Sequence, residues 1–421
     1  MKKFKPKRTN SVNEKVLIAT VDGGKDIHYG YYRYPDGTDV KPFKFFNNGR
    51  GFCEFWDRVS GGAKAEGLEE IVVGFESTGS YMEPLAQFLK NKKGVRLVQV
   101  NPMHTKRVKE LQGNSPLKTD MKDPKIIADI IELGHALTVV IPEGPAVELR
   151  RLTQGRERTI ERRTALFNQL HSLLVIMFPE FLQVMKDVKT ASAQYMLTHY
   201  PTPQDIVSLG ESALTVLLRK VSRGKFKEDR ARELFKAASE SVGVMEGRNS
   251  LLREIRLILA TIASYDRFIE ELEADMERHL EEIPYSKLIL SLKGIGPVTT
   301  AGLIGEVGDF RKFSTISEVM KLAGLDLYEI SSGKHQGIRR ISKRGRPLLR
   351  KLLYFAALSA VRQGGVMHQW YQDALARGMI KPKALVAVAR KLLTIIFALV
   401  RNHSVYIENY MQHKLTLKEA A

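Results

Sequence analysis

Residues 15–25 read Lys-Val-Leu-Ile-Ala-Thr-Val-Asp-Gly-Gly-Lys, and this stretch decides how the first third of the chain is read. Its apolar run has the length of a buried strand, ends on an acid, Asp22, and is stopped by a glycine pair. Residues 28–34 and 40–46 come next, both rich in aromatic and β-branched side chains, with Pro35-Asp36-Gly37 between them. That pattern predicts a hairpin continuing from the first strand. Residues 52–60 fit a helix, 68–75 (LEEIVVGF) a strand ending at Glu76, and 81–92 another helix. Residues 95–100 fit a last strand, stopped by Asn101-Pro102.

The order β-β-β-α-β-α-β is that of a ribonuclease-H-like domain. Downstream the pattern turns helical. Gly and Pro are scarce over 148–177, where Leu166, Leu170, Leu173 and Met177 recur at 4-3-4 spacing. Leu251, Ile255, Ile258, Ile262, Tyr265, Ile269, Leu272 and Met276 then hold an unbroken 4-3 alternation. Such a seam predicts a coiled coil or a long antiparallel helix pair. It could close within the chain or serve as a dimerisation arm. The fold class is therefore α/β plus α. The expected regions are a basic arm (1–14), the ribonuclease-H-like domain (15–145), a helical coiled-coil region (146–283), a mostly helical C-terminal domain (284–405) and a tail (406–421).

Charge narrows the partner. Lys and Arg number 66 against 47 Asp and Glu, a net charge of +19 and a pI near 9.7. A surplus of that size favours a polyanion, because neutralising phosphates releases counterions. No apolar run approaches the roughly 20 residues needed to span a bilayer. Residues 392–400, flanked by Lys391 and Arg401, read as a buried helix. The opening MKKFKPKRTN lacks the apolar stretch of a secretory signal and reads as a flexible basic arm. Cys53, the single cysteine, excludes an intrachain disulfide and suits a reducing cytoplasm.

Three segments place carboxylates where this fold needs them. Asp22 ends the first strand, Glu76 ends a neighbouring parallel strand, and Asp120 and Asp123 precede the apolar helix pattern of Ile126, Ile127, Ile130 and Ile131. Each acid alone has an ordinary reading: turn chemistry, a solvated strand end, or a helix cap. Together, in this order, they match the needs of phosphoryl transfer on a diester. That reaction calls for charge neutralisation and an activated oxygen, which two Mg2+ (or Mn2+) ions about 4 Å apart supply when hard carboxylates hold them. Pro124 fits the first helical position with Asp123 as cap and Asp120 still in the loop.

A second cluster lies near the other end. Ser331-Ser332-Gly333 precedes KHQGIRRISKRGRPLLRK, which has eight cations and no acid between Lys334 and Lys351. A serine hydroxyl is a poor nucleophile unless its developing charge is stabilised by cations or a metal. Residue chemistry alone favours a solvated loop that only binds phosphate. Lys334, Arg339, Arg340, Lys343, Arg344, Arg346 and Arg350 are the candidate backbone contacts. Upstream, Gly294 and Gly296 in Lys293-Gly294-Ile295-Gly296-Pro297 fit a helix-hairpin-helix turn whose amides approach a phosphate. A plain helix-to-helix turn fits them too.

These motifs taken together carry a resemblance. Asp-Gly-Gly-Lys, Phe-Glu-Ser-Thr-Gly-x-Tyr, Asn-Pro before Lys-Thr-Asp-x-x-Asp, and the C-terminal Gly-Ile-Gly-Pro-x-Thr-Thr-Ala, Ser-Gly and Ser-Lys-Arg-Gly resemble the DEDD insertion-sequence transposases. This is the "one-ten" insertion-sequence family, which includes Piv-type DNA invertases. The likeness runs from about 16 to 403. It implies a RuvC-like domain whose tetrad is Asp22, Glu76, Asp120 and Asp123. It also implies a transposase domain over 284–405 whose nucleophile is the serine before glycine, Ser332. Related enzymes are guided by a structured bridge RNA that pairs with donor and target DNA. They assemble as homo-oligomers, up to tetramers in which different subunits share one active site. Two positions depart from the pattern: the Ser331-Ser332 doublet, and Pro124 where the family has a small helix-former.

The function this implies is RNA-guided strand exchange of a mobile element through a metal-assisted phosphoserine, in a bacterial or archaeal cytoplasm at the nucleoid. The basic segment would orient nucleic-acid backbone, and RNA pairing would choose the sequence. Two other readings compete: a RuvC-like endonuclease that hydrolyses branched DNA with the tetrad alone, and a non-catalytic nucleic-acid-binding protein. A sugar-kinase-type ATPase would need a second glycine-rich phosphate loop, which the sequence lacks at the required distance.

Overall fold

A computed structural model of the protein describes residues 15–76, 81–112, 122–139, 141–329, 337 and 339–408. The chain divides into two compact units, Met1–Ile141 and Pro142–Ala421.

The first unit is built on a mixed sheet. Its strands are β1 (Val16–Gly23), β2 (Ile27–Arg33), β3 (Phe43–Phe46), β4 (Glu70–Glu76), β5 (Val95–Val100) and β6 (Leu137–Thr138), in the spatial order β3-β2-β1-β4-β5-β6. β1, β4 and β5 are parallel, whereas β2, β3 and β6 join antiparallel. β1 is apolar from Val16 to Val21 but for the buried Thr20, as both of its faces are covered. Leu17, Ala19 and Val21 point to one core with Ile71, Val73 and Phe75. Val16 and Ile18 point to the other with Val72.

On the first face lie α1 (Gly49–Ala65), capped by Asn48 through the Gly51 amide, and α2 (Glu83–Lys90). On the opposite face lies α4 (Asp123–Glu132), preceded by α3 (Pro102–Gln112). Gly74 lets α4 come close, since a Cβ there would collide with Ile131. Polar ties fix α4 laterally: Arg33 reaches Asp129 at 2.8 Å and Glu132 at 2.9 Å, and Lys125 reaches Asp39 at 2.9 Å. The strand and helix order predicted over 15–100 is found. α3 and β6 were not foreseen.

The second unit is helical apart from one short ribbon. α5 (Pro145–Met177) leads into α6 (Pro179–Met185), α7 (Ala191–His199), α8 (Pro203–Leu209), α9 (Glu211–Val221) and α10 (Glu228–Ser239). The chain returns along α11 (Arg248–Glu281). It closes with α12 (Ser286–Leu290), α13 (Pro297–Val307), α14 (Ile316–Ala323), the strands β7 (Leu327–Tyr328) and β8 (Arg340–Ile341), α15 (Pro347–Ala360), α16 (His368–Ala376) and α17 (Lys381–Arg401).

α5 and α11 pack along their lengths in opposite directions. Arg156 meets Glu273 at 2.6 Å, Arg163 meets Asp266, and Gln169 meets Glu254 at 2.7 Å, so the partners descend along α11 as they ascend along α5. Ile255, Ile258, Ile262, Ile269, Leu272 and Met276 of the seam are buried. The seam is thus filled within one chain, the intramolecular of its two readings. Residues 146–283 and 284–405, read apart in the sequence, belong to the same compact unit. Leu392, Leu393, Ile396 and Val400 of α17 are core residues, and among the described residues no helix is long and apolar enough to cross a membrane.

Candidate active site and nucleic-acid interface

Alternation along the strands places the first two acids. Asp22 lies two residues beyond Thr20 and four beyond Ile18, so it projects from the face that carries α4. Glu76 lies four residues beyond Val72 on β4 and projects from the same face. β1 and β4 are adjacent and parallel, in register Val21↔Phe75, so both acids stand at the carboxyl ends of neighbouring strands. In open α/β sheets that edge is where ligands bind. Both acids are half-buried.

Asp123 arrives from α4. The Thr20 hydroxyl donates to the Pro124 carbonyl at 2.6 Å, a buried bond that ties the first turn of α4 to β1 two residues from Asp22. The expected cap geometry is shifted by one residue: Lys122 occupies the cap position without a side-chain bond, and Asp123 is the first helical residue. Its carboxylate is spent elsewhere. Lys109 on α3 donates to Asp123 Oδ2 at 2.6 Å, with the Asp123 side chain 13% exposed. Sequence reading missed Lys109, because nothing in the sequence signals a contact across a separation of 14 residues. Asp120 lies outside the described residues. Among the described residues no three His, Cys, Asp or Glu side chains gather closely enough to hold a metal.

In the second unit, β7 and β8 pair antiparallel with Tyr328 opposite Arg340, and the chain between them carries Ser331 and Ser332. Those serines and Lys334 lie outside the described residues. Below the ribbon the backbone is tightly pinned. The amides of Ser342, Lys343 and Arg346 donate to the carbonyls of Asp326, Gly324 and Leu322. Gly345 must be glycine, since a Cβ there would strike the backbone of Gly324 and Leu322.

The expected basic contacts separate into two kinds. Arg340, Lys343 and Arg344 are exposed, and Arg339, also exposed, pairs with Glu329 at 2.9 Å. Arg346 and Arg350 turn inward instead. Arg346 donates to the carbonyl of Glu306, and Arg350 donates to that of Ala323 at 3.1 Å. Burial pulls the Arg350 guanidinium below its usual value. These two arginines brace the segment that carries the others.

The glycine turn divides in the same way. Gly294 has φ +92° and approaches Ser359 and Ala360 of α15, so turn conformation and packing account for it. Gly296 caps α13 and has open space around it, which leaves the α13 amino end accessible.

A mixed sheet with acids at the ends of its two central parallel strands, in one chain with a basic helical unit, is an arrangement suited to nucleic-acid phosphodiesters. Comparison with known proteins agrees. Residues 19–179 match the family model of the DEDD transposases, described as "Transposase", and residues 286–372 match "Transposase IS116/IS110/IS902 family". The two matches together span more than half of the chain, which belongs to the IS110 family of DEDD transposases.

Among its relatives is the "Insertion element IS110 uncharacterized 43.6 kDa protein" of Streptomyces coelicolor. It is 23% identical over 92% of this chain and 94% of its own length. The "Insertion element IS900 uncharacterized 42 kDa protein" of Mycobacterium paratuberculosis is 26% identical over 69% and 73%. The "Transposase for insertion sequence element IS1111A" of Coxiella burnetii is 24% identical over 74% and 73%. Membership makes the chain a transposase, an enzyme that recombines DNA.

Proposed function

We propose that this transposase exchanges DNA strands through a covalent phosphoserine at Ser332, assisted by a divalent metal, Mg2+ or Mn2+, on Asp22, Glu76, Asp120 and Asp123. The observation that supports the acidic half is that Asp22 and Glu76 end adjacent parallel strands on one sheet face, with the first turn of α4 tied to β1 two residues from Asp22. The donor chemistry suits the metal: all four are hard carboxylates, and Asp123 already faces a cation in the Lys109 ammonium. Bound there, the metal would supply charge neutralisation on the reacting phosphate.

The remaining steps belong to the chain. Ser332 Oγ attacks a backbone phosphorus, its proton passes to the departing sugar oxygen, and the diester is conserved as phosphoserine. A hydroxyl from a second strand then attacks that phosphorus, and the serine recovers its proton. No bond energy is lost, so rejoining needs no ATP. Arg340, Lys343 and Arg344 hold backbone phosphates beside the serine's ribbon, and Gly296 leaves the amino end of α13 open to a phosphate, with its own amide as a donor. Sequence choice comes from a structured bridge RNA that pairs with donor and target DNA, and the enzyme works as a homo-oligomer. Support for the RNA and for the assembly is the family resemblance.

The direct test is recovery of the protein from a strand-exchange reaction under denaturing conditions. A DNA adduct on the peptide containing Ser332, located by mass spectrometry, is the expected result. Nicked DNA without an adduct would establish hydrolysis by the acids alone and refute the serine step.

Lys109 provides a second test, of the metal itself. A lysine ammonium and a divalent ion compete for Asp123, so Lys109→Met will tighten Mn2+ binding about five- to tenfold, the size of a partly screened ion pair. Paramagnetic resonance of Mn2+ reads this without reference to activity. Unchanged binding would show that Lys109 does not oppose the metal, while loss of Mn2+ binding in Asp22→Asn checks independently that the acids hold it.

A further inference from the structure

Between the two segments that match the family models, residues 219–227 read Arg-Lys-Val-Ser-Arg-Gly-Lys-Phe-Lys, five cations in nine residues with no acid. Arg219 and Lys220 close α9, Arg223 and Lys225 form the turn, and Lys227 stands at the start of α10. All five side chains are exposed. Among the described residues none of the five has an ion-pair partner, whereas Arg230 and Arg232 just beyond are paired with Glu233 and Glu211.

The turn that presents them is ordered. The Gly224 amide donates to the Arg219 carbonyl at 2.8 Å, and the Arg223 and Lys225 amides donate to Lys220 and Ser222 at 3.2 Å. The Phe226 amide donates to the Ser222 hydroxyl at 2.8 Å. Phe226 is half-buried, with the Arg230 guanidinium 5.8 Å from its ring centre.

Folding does not ask for these charges. Arg219 and Lys220 suit the negative pole of α9, but the other three have no such excuse. Arg223 has φ +54°, in the region that glycine and asparagine occupy more easily. Lys227 caps α10 without a side-chain bond and sets a cation at the positive pole of that helix. Five like charges over nine residues also repel one another. Local stability is given up at Arg223 and Lys227, and an ordered display of positive charge is what results.

We infer that the α9–α10 turn is a binding site for the phosphodiester backbone of a nucleic acid. It is separate in sequence from Arg340, Lys343 and Arg344 and independent of the phosphoserine step. Lysines and arginines on a fixed turn hold phosphates without reading bases, so the site positions its ligand and leaves sequence choice to other contacts.

The test uses the full chain with Arg219, Lys220, Lys225 and Lys227 changed to Gln and Arg223→Asn, which suits the positive φ. Binding of a duplex DNA lacking element sequence and of an RNA hairpin is followed by fluorescence anisotropy across a salt series. Affinity for at least one probe should fall about tenfold or more, and where the duplex is the probe affected the slope of log affinity against log salt should flatten by about 4. Loss for the RNA alone assigns the turn to RNA, loss for the duplex alone to DNA, and loss for both to either backbone. Unchanged affinity and slope for both probes would overturn the proposal. Should the fivefold variant melt early, Lys225→Gln with Lys227→Gln provides the same reading with a slope change of about 2.

Discussion

Asp22→Asn will slow DNA strand exchange at least about a thousandfold while leaving the melting temperature close to that of the wild type. The two side chains have the same shape, so the half-buried end of β1 keeps its packing. The substitution removes one formal negative charge at the edge where Glu76 and the first turn of α4 converge. A metal bound through carboxylates is worth several kcal/mol of transition-state stabilisation. A loss of about 4 kcal/mol corresponds to roughly a thousandfold in rate. The measurement is the rate of strand exchange on element-end DNA, with DNA affinity and thermal melting as controls. Retention of wild-type exchange would make Asp22 a turn residue and return the acids to structural roles. A fall in melting temperature matching the fall in rate would assign the effect to folding instead.

The part of this site legible in the sequence is the part that local pattern encodes. An apolar run ending on an acid carries its own strand prediction, and Pro35-Asp36-Gly37 carries its own turn, with Gly37 at φ +89°. The seam of α11 was legible because its period repeats, yet periodicity cannot identify the partner helix. That partner is α5, about a hundred residues earlier, and the pairs Arg156–Glu273 and Arg163–Asp266 bridge separations of 117 and 103 residues. The same holds for Arg33 with Asp129, which crosses 96 residues, and for Thr20 with Pro124, which crosses 104. Such contacts exist only once the sheet has formed, so no local signal announces them. The basic segment shows the converse error. Arg346 and Arg350 read as surface charge in a run of cations, but their guanidinium groups satisfy the carbonyls of Glu306 and Ala323.

Ser332→Ala will eliminate the protein–DNA adduct and lower strand exchange by on the order of 10^4-fold or more, the scale seen when an activated serine nucleophile is removed. In the proposed mechanism alanine deletes the atom that forms the new bond to phosphorus. Neighbouring charge stays in place, because Arg340, Lys343 and Arg344 are exposed on the far strand of the ribbon and the segment after it. Affinity for DNA should therefore remain within about twofold, since phosphate contacts hold the duplex without the hydroxyl. Ser331→Ala is the companion variant. It keeps the nucleophile assigned here and should retain both adduct and exchange; the opposite pattern would move the nucleophile one residue back. Asp22→Asn completes the comparison. An enzyme that uses water as its nucleophile loses nicking in Asp22→Asn and keeps it in Ser332→Ala. An enzyme that uses the serine loses covalent chemistry in both, because the hydroxyl attacks a phosphate whose charge the acids' metal must neutralise.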